Sequence, residues 1–420
     1  MFWRYLAKEL KQCSGKPYVQ ILFGARQTGK TTLLRQIFPD SSLWIDLSDP
    51  GQRTRYLAHP QEFVAECRAL PAGEKPHLVV IDEAQAVPPL FDAVQSLYDS
   101  EKTRWRFVLC GSSARKLRAT GANLLPGRSM YHHLYSLLSL ERKFKVPGIR
   151  VAERSKNTLN LLLKIPENKP GSSRFFPPVD LETRLTFGDL PGIAIAEEDD
   201  RPRILASYSV IYLEEEIRRE GLIKDWGAFT RFLQLAASES GQIINFSGLS
   251  RESGVSVPTV KSYYQLLEDM FIGFRVPAFS KSPRKFLLST PKFFFFDIGV
   301  RHAAAGLAPE RSIVKANPGP FFEQWVAQEL WKRLGYLKRG RLFHYRTKGG
   351  AEIDFILEIN DHFIPVEVKW TEHPKESDAR HCIEFMRDFP KKSQEGYIIC
   401  RCSRPMQIYE KIRAIPYWSL

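Results

Sequence analysis

The sequence predicts an α/β fold in three parts. Residues 1–142 read as a parallel-sheet domain, 206–300 as a helical domain with a helix-turn-helix pattern, and 301–420 as a smaller α/β domain. The stretch 143–205 reads as a linker or insertion. Three observations carry this reading. An apolar run passes through a glycine-rich loop into a helical pattern near residue 24. A second apolar run ends in two acids at residues 82 and 83. Two runs of alternating acidic and apolar residues follow residue 350.

The first element is the strand pattern Tyr18 to Phe23, followed by Gly24-Ala25-Arg26-Gln27-Thr28-Gly29-Lys30-Thr31 and the helical Thr32 to Ile37. This is G-x-x-x-x-G-K-T in strand–loop–helix context. Backbone N–H groups of the loop and the positive end of the helix dipole then face an anion. Gly24 and Gly29 permit a close backbone approach. Ala25, Arg26, Gln27, Thr28 and Thr32 complete the cradle. Lys30 reaches the β- and γ-phosphates and the Thr31 hydroxyl binds Mg²⁺, so ATP with Mg²⁺ is the expected ligand.

Leu43 to Leu47 reads as a second strand. His77 to Ile81 is a third, ending in Asp82-Glu83, a Walker B pattern. At the carboxyl end of a parallel strand Asp82 can hold the metal shell and Glu83 can act as general base toward water. A fourth strand, Arg106 to Gly111, ends in Ser112-Ser113-Ala114-Arg115. Leu124-Leu125-Pro126-Gly127-Arg128 then leads into a strand from Met130 to Tyr135.

These residues resemble the AAA+ superfamily. "CGSSARKL", "LPGR" and "LYSLLSLE" resemble a prokaryotic group of AAA+ ATP-binding proteins with a C-terminal domain of unknown function. The resemblance implies a sensor residue at Ser112 or Ser113, an oligomer, and Arg128 as an arginine finger toward a neighbouring subunit. The alternative for Arg128 is an ordinary salt bridge.

Periodicity fades from Lys143 to Asp180, where Pro166 to Ser173 is loop chemistry. Helical pattern resumes at Ala206, through Tyr212 to Ile217 and Phe229 to Ala237. Phe246 to Val260 reads as helix, turn at Gly254, and a second helix capped by Ser256. Val260, Tyr264, Leu267 and Phe271 form its apolar face. The segment resembles a winged helix, serving either DNA contact or packing.

In the C-terminal part, Gly350 to Leu357 and Phe363 to Trp370 flank Asn360-Asp361, a two-residue hairpin loop. Counting outward from that loop sets Asp354 across from Glu367 and Glu352 across from Lys369, all on one face. Opposed carboxylates repel, and a divalent metal held by Asp354 and Glu367 would remove the conflict. The alternative is a solvent-facing hairpin. The pattern resembles the PD-(D/E)xK nuclease superfamily, which implies Glu323, Asp354, Glu367 and Lys369 as its core set. Some members of that superfamily bind DNA without cutting.

Between Lys332 and Lys348 stand seven Lys or Arg and no acid, interleaved with Tyr336, Phe343 and Tyr345. With a net charge of +14, a nucleic acid is the expected partner, DNA before RNA. The six cysteines form no disulfide framework and no uncharged run is long enough to span a membrane, which points to a reducing cytoplasm. The expected activity is an ATPase coupled to a Mg²⁺-dependent nuclease-like domain. The alternative is a STAND-like regulatory or DNA-binding ATPase that does not cut.

Overall fold

The computed structural model describes residues 2–112, 125–146, 159, 163, 174–207, 223–280, 289–347 and 349–420. Ser113 and the helical pattern at Tyr212 to Ile217 lie outside the described residues. The chain divides into two compact units. One comprises Met1–Ser136, Glu167–Arg174 and Asp269–Ile272; the other comprises Leu137–Pro166, Phe175–Glu268 and Gly273–Leu420. The first compact unit thus runs to residue 136 in its main segment. The segments expected as separate domains at 206–300 and 301–420 belong to one unit.

The first unit is built on a five-stranded sheet: β1 (Val19–Phe23), β2 (Leu43–Asp46), β3 (His77–Asp82), β4 (Trp105–Gly111) and β5 (Ser129–His133). Its order is β2-β3-β4-β1-β5 and every neighbouring pair is parallel. All five residues of β1 are buried, as expected of a parallel strand covered on both faces. Val19, Ile21, Val79, Ile81, Phe107 and Leu109 share a core with Phe63, Leu90, Phe91 and Val94 from flanking helices. The parallel arrangement brings the carboxyl ends of β1, β3 and β4 to one edge.

In the second unit, helices Phe246–Ser253 and Val257–Asp269 form the expected helix-turn-helix. Asn245 caps the first through the Gly248 N–H at 3.0 Å, and Ser256 caps the second through the Thr259 N–H at 3.3 Å. Val260, Tyr264 and Leu267 are buried. Phe271 is not on that face: the helix ends at Asp269, and the Phe271 ring packs in the first unit against Phe23 and His133. Two short pairs belong to the same unit, the parallel β6 (Arg142–Phe144) with β7 (Phe176–Val179) and the antiparallel β8 (Gly273–Val276) with β9 (Lys292–Phe295).

The rest of this unit carries a six-stranded sheet of order β10-β11-β12-β13-β15-β14. Its strands are β10 (Arg341–Arg346), β11 (Glu352–Ile359), β12 (His362–Val368), β13 (Gly396–Cys400), β14 (Met406–Tyr409) and β15 (Ile412–Pro416). The helix Pro318–Leu337 packs on it through Phe322, Trp325, Val326 and Leu330, which share a core with Phe274, Phe294, Phe355 and Tyr397. That common core joins the helical segment to the C-terminal sheet. All six cysteines are buried thiols. Among the described residues no helix is long and apolar enough to cross a membrane.

Candidate functional site

The loop from Gly24 to Thr31 leaves β1 and enters the helix Lys30–Ile37 as the spacing requires. A Cβ at Gly24 would stand 2.3 Å from the Leu134 carbonyl oxygen, so the close approach of the chain just after β5 admits only glycine. Gly29 caps the helix with φ of 88°, the left-handed region where a side chain is strained. The Thr28 hydroxyl donates to the Ala25 carbonyl at 2.8 Å and fixes the loop from inside. Buried Arg4 donates to the Thr28 and Tyr135 carbonyls and fastens it from the N-terminal arm.

The buried Lys30 ammonium donates to the Gly24 and Ala25 carbonyls, both at 3.0 Å. It thus rests on the loop that would wrap the phosphates. The Cys110 thiol donates to the Asp82 carboxylate at 2.5 Å, and the Thr31 hydroxyl favours its charged form. Burial raises the Asp82 carboxyl above its ordinary value, against the pull of those two donors. Thr31 and Asp82 would supply two oxygen ligands to a Mg²⁺ ion that takes the rest of its shell from phosphates and water.

Glu83 follows in left-handed backbone at φ of 53°. Its carboxylate accepts from the Gln85 amide and lies 3.4 Å from the Ser112 hydroxyl. Gln85 also donates to the Ser112 oxygen at 3.1 Å. Gln85 carries no signal by itself in the sequence, yet it links the acid at the end of β3 to the residue at the end of β4. His133 was legible only as a strand end. It stacks on Tyr135 at 4.1 Å, and burial, helped by Lys30, lowers its ring to about 3, so it stays neutral.

Arg128 lies at the opposite end of the sheet. Ser129 pairs with Val19 and His133 with Phe23, so β5 starts beside the start of β1, a strand length of roughly 16 Å from the loop. There the Arg128 Nε donates to Asp99 at 2.7 Å. Within its own chain this is a half-exposed salt bridge.

The C-terminal hairpin has the expected register. Ile359 pairs with His362 and Phe355 with Val366, and Asn360 and Asp361 take the positive φ values of a tight two-residue turn. Continuing the ladder puts Asp354 beside Glu367. The Val368 N–H donates to Asp354 Oδ2 at 2.8 Å. On the same face Lys369 donates to Glu367 Oε1, two residues before it, at 2.7 Å. Glu352 and Glu323 instead take the ammonium of Lys292, at 3.4 and 2.9 Å.

Lys292, at the start of β9, is the residue that sequence reading missed. It is 4% exposed and inside an acid cluster whose members are 31 or more positions away. Burial and Asp354 raise Glu323 to about 7 even with Lys292 bound. Burial and Asp354 likewise raise Glu367 to about 8 against the pull of Lys369. Burial raises Asp354 too. Asp354 and Glu367, the expected Mg²⁺ ligands, stand side by side, with the Lys369 ammonium on Glu367 and that of Lys292 among the neighbouring acids. Among the described residues no three His, Cys, Asp or Glu side chains stand together in a way that could hold an ion.

The basic run is also partly structural. Lys332 and Arg333 are buried around Glu329, and Phe343 and Tyr336 are core residues. Lys338, Arg339, Arg341 and Arg346 are exposed.

Residues 16–142 match the family described as "AAA domain", residues 179–311 a domain of unknown function (DUF8612), and residues 318–420 a domain of unknown function (DUF4143). An uncharacterized protein of Mycobacterium tuberculosis is 24% identical over 374 residues, covering 88% of this chain and 74% of the relative. An uncharacterized protein of Haemophilus influenzae is 25% identical over 401 residues, covering 92% and 90%. A Pyrococcus horikoshii signal transduction ATPase with numerous domains, bearing a tetratricopeptide repeat sensor, is 14% identical. It aligns over 80% of this chain and 50% of its own, with a TM-score of 0.23. The N-terminal unit carries an AAA-type P-loop ATPase domain.

Proposed function

We propose that this chain is an ATP-hydrolysing switch whose nucleotide state controls nucleic-acid binding by its second unit. The Lys30 ammonium, held on the Gly24 and Ala25 carbonyls at the start of the helix Lys30–Ile37, supports the ATPase half most directly, because it already stands inside the loop that would wrap the phosphates. Bound Mg²⁺ would neutralise charge on the β- and γ-phosphate oxygens. Lys30 exchanges the Gly24 and Ala25 carbonyls for phosphate oxygens. Glu83, oriented by Gln85 and Ser112, takes the proton of the attacking water. Residues 269–272 belong to the ATPase unit although both flanking segments belong to the other, and Phe271 there packs on Phe23, next to the loop. This segment supports the coupling, since a change at the loop reaches it through contact.

For the second unit, the nuclease reading is supported by the order helix Pro318–Leu337, β10, β11, β12, helix Arg380–Asp388, β13, with Glu323, Asp354, Glu367 and Lys369 gathered on it. Binding without cutting is favoured by one observation, the Lys292 ammonium inside the acid cluster. The exposed Lys338, Arg339, Arg341 and Arg346 suit a phosphate backbone.

Glu83→Gln provides the test. Hydrolysis of ATP is expected to fall by about 10²–10⁴-fold while ATP is still bound, as for loss of a general base. In this trapped form, DNA affinity measured by gel shift is expected to change by about fivefold or more on adding ATP. Equal affinity with and without ATP would refute the coupling. Strand scission with Mg²⁺ that disappears in Asp354→Ala would replace the binding reading with the nuclease one.

A further inference from the structure

We infer that Lys292 is a resident counter-ion of the C-terminal carboxylate cluster, supplying from within the chain the positive charge that Glu323, Glu352 and Asp354 would otherwise draw from an external cation. Its ammonium lies 2.9 Å from Glu323 Oε1 and 3.4 Å from Glu352 Oε1, and it stabilises its own charge against Asp354 as well. The side chain is 5% exposed, so its charge is buried and needs these partners. Lys369 does the same for Glu367 at 2.7 Å from the other side.

A buried acid cluster can be neutralised by an external cation or by a tethered one. A metal gains its affinity from several carboxylates converging with free oxygens. Here Glu323 Oε1, Glu367 Oε1 and Asp354 Oδ2 are already engaged by Lys292, Lys369 and the Val368 N–H. Each of these acids keeps a second oxygen, that of Glu367 buried with no hydrogen-bond partner, but two ammonium groups already balance the cluster and a divalent ion would have to displace one of them. Only removal of the tethered charge would leave Glu323, Glu352 and Asp354 together without a cation.

The geometry also explains why Lys292 is fixed. It opens β9, pairs with Val276 of β8 and is followed by the buried Phe293, Phe294 and Phe295. The ammonium is thus delivered from the segment after the helix-turn-helix into a cluster formed by the helix Pro318–Leu337 and the hairpin β11–β12. It is part of the fold and not a mobile surface lysine.

The test uses the full chain without nucleotide and reads Mn²⁺ binding from the electron paramagnetic resonance of the free ion. Wild type and Asp354→Asn are expected to titrate alike. Lys292→Met is expected to gain one further Mn²⁺ bound at least about tenfold more tightly than any wild-type site there, and Lys292→Met with Asp354→Asn to lose it again. Lys292→Arg, which keeps the cation, is expected to titrate as wild type. A wild-type Mn²⁺ that Asp354→Asn loses would overturn the inference, and so would a folded Lys292→Met that gains none. Thermal melting checks that Lys292→Met folds. If it does not, the comparison of wild type with Asp354→Asn decides by itself. The result is independent of ATP hydrolysis and of DNA binding, so the switch proposal can fail without touching it.

Discussion

Lys30→Ala is expected to reduce ATP hydrolysis by about 10²–10³-fold, the size of effect that follows loss of one charged donor to a transition-state oxygen. Lys30 is buried in the loop and already makes charge-assisted bonds to the Gly24 and Ala25 carbonyls. No other Lys or Arg belongs to the G-x-x-x-x-G-K-T cradle at the position that faces β- and γ-phosphates. The variant keeps the strand, the turn at Gly29 and the helix, so the fold should survive. Two measurements check the expectation: phosphate release at saturating ATP, and the rise in melting temperature on adding ATP and Mg²⁺, which wild type shows and Lys30→Ala loses. A variant within threefold of wild type in phosphate release would show that Lys30 does not contact the transferred group.

Glu329→Ala is expected to cost roughly 3–5 kcal/mol of stability, because it leaves buried cations without their partner. Glu329 is fully buried on the helix Pro318–Leu337. Arg333 donates to it at 2.9 Å, the Ser139 hydroxyl at 2.7 Å, and Lys332 lies 3.6 Å away. Burial by itself pushes this carboxyl up, but Arg333, Lys332 and Ser139 together pull it down to about 2. The sign of the pH effect follows. The folded value lies below the ordinary one of 4.5, so the contribution is present above about pH 4.5 and is lost as pH falls toward 2. A shift of that size corresponds to roughly 3 kcal/mol. Calorimetric melting between pH 3 and 7 is expected to show wild type losing stability below pH 4.5 more steeply than Glu329→Gln. Parallel curves for the two proteins would refute the assignment.

The two candidate sites differ in how far the sequence reveals them. The nucleotide loop is legible because everything it needs lies within one short segment. Strand, glycine turn and helix are set by local preference, and Lys30 and Thr31 are placed by helix geometry once the turn is fixed. Asp82 was legible for a related reason: it ends an apolar strand, and a parallel sheet sends such ends to the same edge. Gln85 and Cys110, which hold Glu83 and Asp82, were not legible, since an amide or a buried thiol at those positions has no periodic signature.

The hairpin was legible to the residue, because a two-residue turn fixes the register of everything beside it. What surrounds it was not. The Lys292 ammonium enters between Glu323 and Glu352 from another segment, and the basic run from Lys332 proved to begin with two core cations serving Glu329. The helix-turn-helix lost Phe271 to the ATPase unit for a similar reason, since the helix stops at Asp269 and the next residues follow a different core.

The amino-acid sequence determined by itself the phosphate cradle, the acid pair at the end of β3, the helix-turn-helix and the facing of Asp354 and Glu367. Each depends on contacts between residues a turn or a strand apart. Tertiary structure alone decided which cation neutralises each buried acid. Lys292 meets Glu323 and Glu352 across 31 and 60 positions, and Glu329 meets Ser139 across 190. Such pairs form because packing removes both groups from water and leaves each the other's best remaining partner, and no short-range pattern records which segments will be packed together.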